Sequence, residues 1–134
     1  MHTTLFMLLL GLPIVSCSQP PDPLTITKGD SETTVYSGDH PVLSYVHKET
    51  LPPEGINPLY KRSAYIHPLW SPGGERLTRI QPPDHYHHYG IWNPWTRTRF
   101  GDRKVDFWNL GGGKATVRFA EIVSTVSGPV YGPC

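Results

Sequence analysis

Leu24-Thr25-Ile26-Thr27-Lys28-Gly29-Asp30-Ser31-Glu32-Thr33-Thr34-Val35-Tyr36, with Pro41-Val42-Leu43-Ser44-Tyr45-Val46-His47 close behind, decides the fold class. Leu24 to Thr27 and Thr33 to Tyr36 are rich in β-branched and aromatic residues. They flank Gly29-Asp30, which reads as the turn of a hairpin. The third run alternates, with Val42, Ser44 and Val46 on one side and Leu43, Tyr45 and His47 on the other. Fifteen prolines and thirteen glycines leave little room for long helices. Short antiparallel strands joined by turns are the expectation. Downstream, residues 51–62 form a longer loop around Pro52-Pro53-Glu54-Gly55, and residues 63–70 form a strand entering a turn at Ser71-Pro72-Gly73-Gly74. Residues 91–100 are predicted extended and Gly101-Asp102-Arg103-Lys104 a turn, with residues 105–110 following. Gly111-Gly112-Gly113 is a flexible connector and lacks the lysine, Ser/Thr and helix of a phosphate loop. Residues 116–126 read as a strand and Ser127-Gly128-Pro129 as its turn. There is no internal repeat and no amphipathic helix. The class is all-β, with sandwich and barrel both open.

The N-terminus reads as an address. Leu5 to Leu12 is apolar but too short to span a bilayer, and Ile14-Val15-Ser16-Cys17 has the form of a lipobox. Residues 1–17 are therefore expected to be a lipoprotein signal with Cys17 as the lipidated residue, a plain secretory signal being the alternative. Residues 18–23 follow as a short proline-rich tether, and residues 24–134 as the domain. The implied location is the bacterial cell envelope, with the membrane reached through the lipid anchor on Cys17. Cys134 is then left without a disulfide partner. The chain stops just after the last expected strand, which reads as the N-terminal part of a larger domain. A net charge of +1 gives no electrostatic reason to expect nucleic acid. Arg97, Arg99, Arg103 and Lys104 cluster, but Asp102 and Asp106 lie among them, as on a solvated strand face.

Chemistry concentrates in Pro82-Pro83-Asp84-His85-Tyr86-His87-His88-Tyr89-Gly90-Ile91-Trp92-Asn93-Pro94-Trp95, which holds three of the seven histidines. Histidine is both a common metal ligand and the acid or base suited to neutral pH. His85, His87 and His88 are the candidate acid–base groups, with Asp84 and Asp106 to orient them. On an extended segment His85 and His87 would share a face and could clamp a divalent metal. His67, Asp84 or Asp106 could complete such a site. The downstream glutamate of a cupin motif is absent, and Pro82-Pro83 and Gly90 point to a loop. A metal-free polar ligand site and a structural cluster are the alternatives. Tyr86 and Trp95 are the candidate stacking platforms, whereas Trp92 and Trp108 are expected in the core. Lys61 and Arg62 could approach an anionic or hydroxyl-rich ligand.

Several motifs carry a resemblance. They are Pro52-Pro53-Glu54-Gly55 through Tyr60-Lys61-Arg62-Ser63, then Tyr65-Ile66-His67-Pro68-Leu69-Trp70-Ser71-Pro72, the histidine run, and Val105-Asp106-Phe107-Trp108-Asn109-Leu110. Across about residues 40–131 the chain resembles the PmoA-like family of exported bacterial proteins, commonly labelled methane oxygenase. The resemblance implies a large antiparallel β-sandwich of the kind seen in sugar mutarotases. The implied motif positions are His67, Asp84, His85, His87, His88 and Asp106, with no catalytic role attached. Particulate methane monooxygenase subunits are integral membrane proteins, and no segment after the leader is apolar enough to cross a bilayer. The His/Asp/aromatic cluster together with the fold that the resemblance implies makes carbohydrate-directed acid–base chemistry the expected activity, ahead of non-catalytic glycan binding and of a metal-dependent oxygenase.

Overall fold

A computed structural model describes residues 22–93 and 95–128; the leader with Cys17 and the terminal Cys134 lie outside these residues. The predicted hairpin is present as β1 (Leu24–Lys28) and β2 (Glu32–Ser37), with Ile26 opposite Val35 and the Gly29 N–H donating to Glu32 O at 2.8 Å. β3 (His40–Val46) and β4 (Tyr65–Leu69) continue it into one four-stranded antiparallel sheet in sequential order. A separate two-stranded ribbon pairs β5 (Thr98–Phe100) with β6 (Arg103–Val105). The protein is all-β and antiparallel.

Alternation on β3 separates two environments, as the period of two requires. On one side Val46 joins Tyr60, Ile80 and Trp92 around the buried Tyr65, Tyr89 and Leu110. Ser44, also buried, is satisfied there by Thr34 at 2.7 Å between hydroxyls. On the other side Tyr45 and His47 lie against Phe119, with ring centroids 6.2 and 5.0 Å away.

Two expectations are corrected. Residues 116–126 form no strand: Phe119 donates its N–H to the Ser63 hydroxyl at 2.9 Å, and among the described residues after Gly113 the chain pairs with the sheet only where Leu24 bridges Gly128. β-propensity alone does not make a strand. The glycine connector is instead a 3-10 turn over Leu110–Gly112, closed by Gly113 at φ 65°. Among the described residues no helix is long and apolar enough to cross a membrane.

Candidate functional site

The histidine run is held between two anchors. Upstream, Gln81 N–H donates to His88 O at 2.8 Å and Ile80 bridges Tyr89. Downstream, Ile91 and Ile66 exchange both backbone hydrogen bonds, which fastens the exit of the loop to β4. Between the anchors the chain makes two successive turns, closed by His85 N–H to Pro82 O at 2.8 Å and His88 N–H to His85 O at 2.9 Å. The extended segment on which His85 and His87 would share a face is therefore absent. Pro82-Pro83 starts a turn, and the turn brings residues three apart together. His85 stacks on His88 at 4.7 Å between centroids, while His87 meets His88 edge-on at 4.4 Å.

Aromatic rings wall this triad. Trp108 lies 5.9 Å from His87 and 5.5 Å from His88, and Trp92 lies 5.2 Å from His88. Tyr60 faces both Tyr86 and His87 at 6.2 and 6.4 Å. Trp92 thus flanks the histidines as well as packing on the core, Trp108 flanks them without being part of that core cluster, and Tyr60 joins them from a 3-10 turn 26 residues upstream of Tyr86. No spacing in the sequence relates Tyr60 or Trp108 to the loop. Only their place in turns at the ends of neighbouring segments does.

Electrostatics divide the three imidazoles. Asp84 Oδ2 lies 2.8 Å from His85 Nδ1, and that contact holds the carboxyl below its ordinary value. Burial lowers the affinity of His87 for a proton, and the neighbouring His88 and His85 lower it further. Burial and then His85 do the same to His88. Beneath the loop His88 Nε2 and Trp92 Nε1 are buried without a hydrogen-bond partner.

The remaining predicted residues are scattered. Asp106 does not orient a histidine; its carboxylate accepts from the N–H groups of Trp108 and Asn109 and from the Asn109 side chain, capping the turn that presents Trp108. His67 Nδ1 bonds Thr78 Oγ1 at 2.9 Å and stands apart from the triad. Trp95 is 59 % exposed and faces none of the histidines. Lys61 and Arg62 diverge, Lys61 pairing with Glu49 at 3.1 Å while Arg62 is buried. Among the described residues no three His, Cys, Asp or Glu side chains converge where an ion could be held.

Residues 32–133, which take in β2 to β6 and the histidine loop, match the Family of unknown function (DUF6807). The chain belongs to this family. The DUF6807 description names no activity, and nothing in it links the chain to PmoA or to methane oxygenation. No curated protein and no solved structure matches significantly.

The triad carries a pH dependence that can be measured in this DUF6807 chain. His87 and His88 bind protons less readily folded than at the unfolded value of 6.5. Just below that pH the unfolded chain binds more protons, so stability rises with pH there. Their contribution is complete above pH 6.5 and is lost as pH falls through the lower folded values. Asp84 and Asp106 oppose the loss, whereas Arg79 and His85 add to it. Melting temperatures from pH 8 to 5 should fall in the wild type and fall less in the His87→Asn/His88→Asn variant. Parallel curves would rule the triad out as the source.

Proposed function

We propose that residues 82–92 form a carbohydrate-binding site and that His85 transfers a proton to or from the bound sugar. The observation that carries this reading is the contact between Asp84 and His85 Nδ1, at 2.8 Å. With side chains 49 and 68 % exposed, His85 and Asp84 gain little stability from their pairing. The pairing does fix a tautomer: with Nδ1–H donating to the carboxylate, Nε2 carries the lone pair that takes a proton. Asp84 is a positioning residue, and His85 is the group that meets the substrate. Tyr60, Tyr86 and Trp108 supply flat apolar faces for a pyranose ring. Proton transfer at a ring or anomeric oxygen is the chemistry His85 can perform.

The test is a panel of neutral pyranoses, scored for binding by saturation-transfer NMR and for anomer interconversion or bond cleavage by one-dimensional NMR. His85→Ala should lower turnover by about 100-fold or more while binding changes little, because general acid–base groups typically contribute that much. Asp84→Asn should lower turnover less and shift its pH profile, the mark of a positioning role. Binding without turnover would support the second reading, a glycan-recognition module, which the exposure of the pair favours. No binding by any sugar would remove both.

A further inference from the structure

The β5–β6 ribbon carries its charges on one side. Arg99 and Lys104 stand directly opposite each other across it, and opposed like charges weaken a strand pair. Both line an open cavity of about 350 Å³, together with Thr96, Arg97, Thr98 and Val105. The lining therefore gathers three cations and no carboxylate. The acids nearest in sequence do not compensate them. Asp106 is committed to the N–H groups of Trp108 and Asn109, and Asp102 sits in the turn beyond Phe100, outside the lining. Among the described residues none of the three cations forms an ion pair, and all three side chains are exposed. Arg103 differs, since its guanidinium lies 5.5 Å from the centroid of the Phe100 ring. A concave surface with two guanidinium forks and an ammonium matches an anion with paired oxygens, a carboxylate or a sulfate.

Topology joins this cavity to the histidine loop. Phe107 closes the base of the ribbon by donating its N–H to Trp95 O at 2.7 Å. Thr96, in the cavity lining, directly follows Trp95. Trp108, which faces His87 and His88, directly follows Phe107. Val105, also in the lining, is three residues from Trp108, so their Cα atoms are at most about 11 Å apart. An oligosaccharide of a few rings spans that distance. The lining lies toward this base, whereas the tip holds Phe100, Gly101 and Asp102, and an acid at the tip opposes docking on an anionic lipid surface. We infer that the ribbon makes the histidine-loop site selective for an acidic glycan, seating a sugar carboxylate or sulfate in the cavity while a neighbouring ring meets the loop. This names the substrate class of the proposed carbohydrate site and rests on that proposal.

The test is an NMR titration at low salt with tetragalacturonate, its full methyl ester, and a carrageenan tetrasaccharide with and without its sulfates. Wild type should bind at least one acid about 10-fold or more tighter than its neutral counterpart, a size that several exposed charge pairs reach together. Whichever acid shows the preference identifies the group as carboxylate or sulfate. The bound acid should also shift the indole N–H signals of Trp92 and Trp108. Arg97→Gln/Arg99→Gln/Lys104→Gln should lose the preference while keeping its affinity for the neutral forms and its melting temperature, because the three side chains are exposed. Equal affinity of wild type for acid and neutral forms would overturn the inference and leave the carbohydrate reading in place. A preference that survives in the triple variant would overturn it, as would tetraglutamate binding as tightly as the better acid. Acid binding that leaves both indoles unmoved would separate the ribbon from the loop and overturn it too. Binding to phosphatidylglycerol vesicles that the triple variant loses, without any preference among the tetrasaccharides, would make the ribbon a membrane contact instead. No binding by any tetrasaccharide would remove the inference and the carbohydrate reading together.

Discussion

Gly90→Ala should lower the melting temperature by roughly 10 °C or more and displace the histidine loop, the larger of two expected effects. Gly90 has φ 47°, a left-handed conformation that alanine adopts only under strain. A Cβ there would fall inside the contact distance of the Ile66 carbonyl oxygen and 3.1 Å from the His67 Cβ. That oxygen is backbone, and it accepts the Ile91 N–H at 3.0 Å. It cannot move aside without breaking the pairing of loop and sheet. Strain and overpacking together should cost about 3 kcal/mol or more, a large share of the stability of a small domain. The same substitution should abolish any ligand response of the loop, because Ile91 is its downstream anchor. A variant that melts within 2 °C of the wild type would show that the loop is not fastened to β4 in this way.

Tyr89 should produce the second-largest effect, and two substitutions separate its two contributions. Its side chain is completely buried, with the ring 4.9 Å from Tyr65. Its hydroxyl donates to Tyr60 O and accepts from Gln81 Nε2, each at 2.6 Å. Gln81 itself sits at φ 47° and is held there partly by that bond and by a second one to Leu51 O. Tyr89→Phe should destabilise by about 1–2 kcal/mol, since two half-buried polar partners lose one bond each. Tyr89→Ala should cost about 3–5 kcal/mol, because the cavity term adds to the lost ring. Urea titrations of the pair read the difference directly. Equal losses would mean that the ring contributes nothing beyond its hydroxyl. Alkali gives an independent check. The raised pKa makes the contribution of Tyr89 complete below pH 10 and lost as pH rises through about 12.

Fold and site were legible to different degrees. Period-two patterning and Gly29-Asp30 were enough for the β1–β2 hairpin and for β3, because a strand's side-chain alternation is local information. Residues 116–126 carry the same composition and form no strand, since propensity does not by itself supply a hydrogen-bonded partner. The clustering of the histidine run was visible in its composition, but its geometry was not. His85 and His87 are two apart and look like a clamp only on an extended chain. The turns closed by Pro82 and His85 carbonyls pair His85 with His88 instead.

Residue chemistry along the chain determined the all-β class, the order of the first strands and the stretch where imidazoles, a carboxylate and aromatic rings gather. Tertiary structure alone decided which of them meet. It brought Tyr60 and Trp108 to the histidines, turned Asp106 to a capping role and set His67 and Trp95 apart. It also sent Lys61 to the surface beside Glu49 and closed its neighbour Arg62 inside. The physical reason is the same in each case: residue type limits what a side chain can do, while burial and partners come from segments distant in sequence.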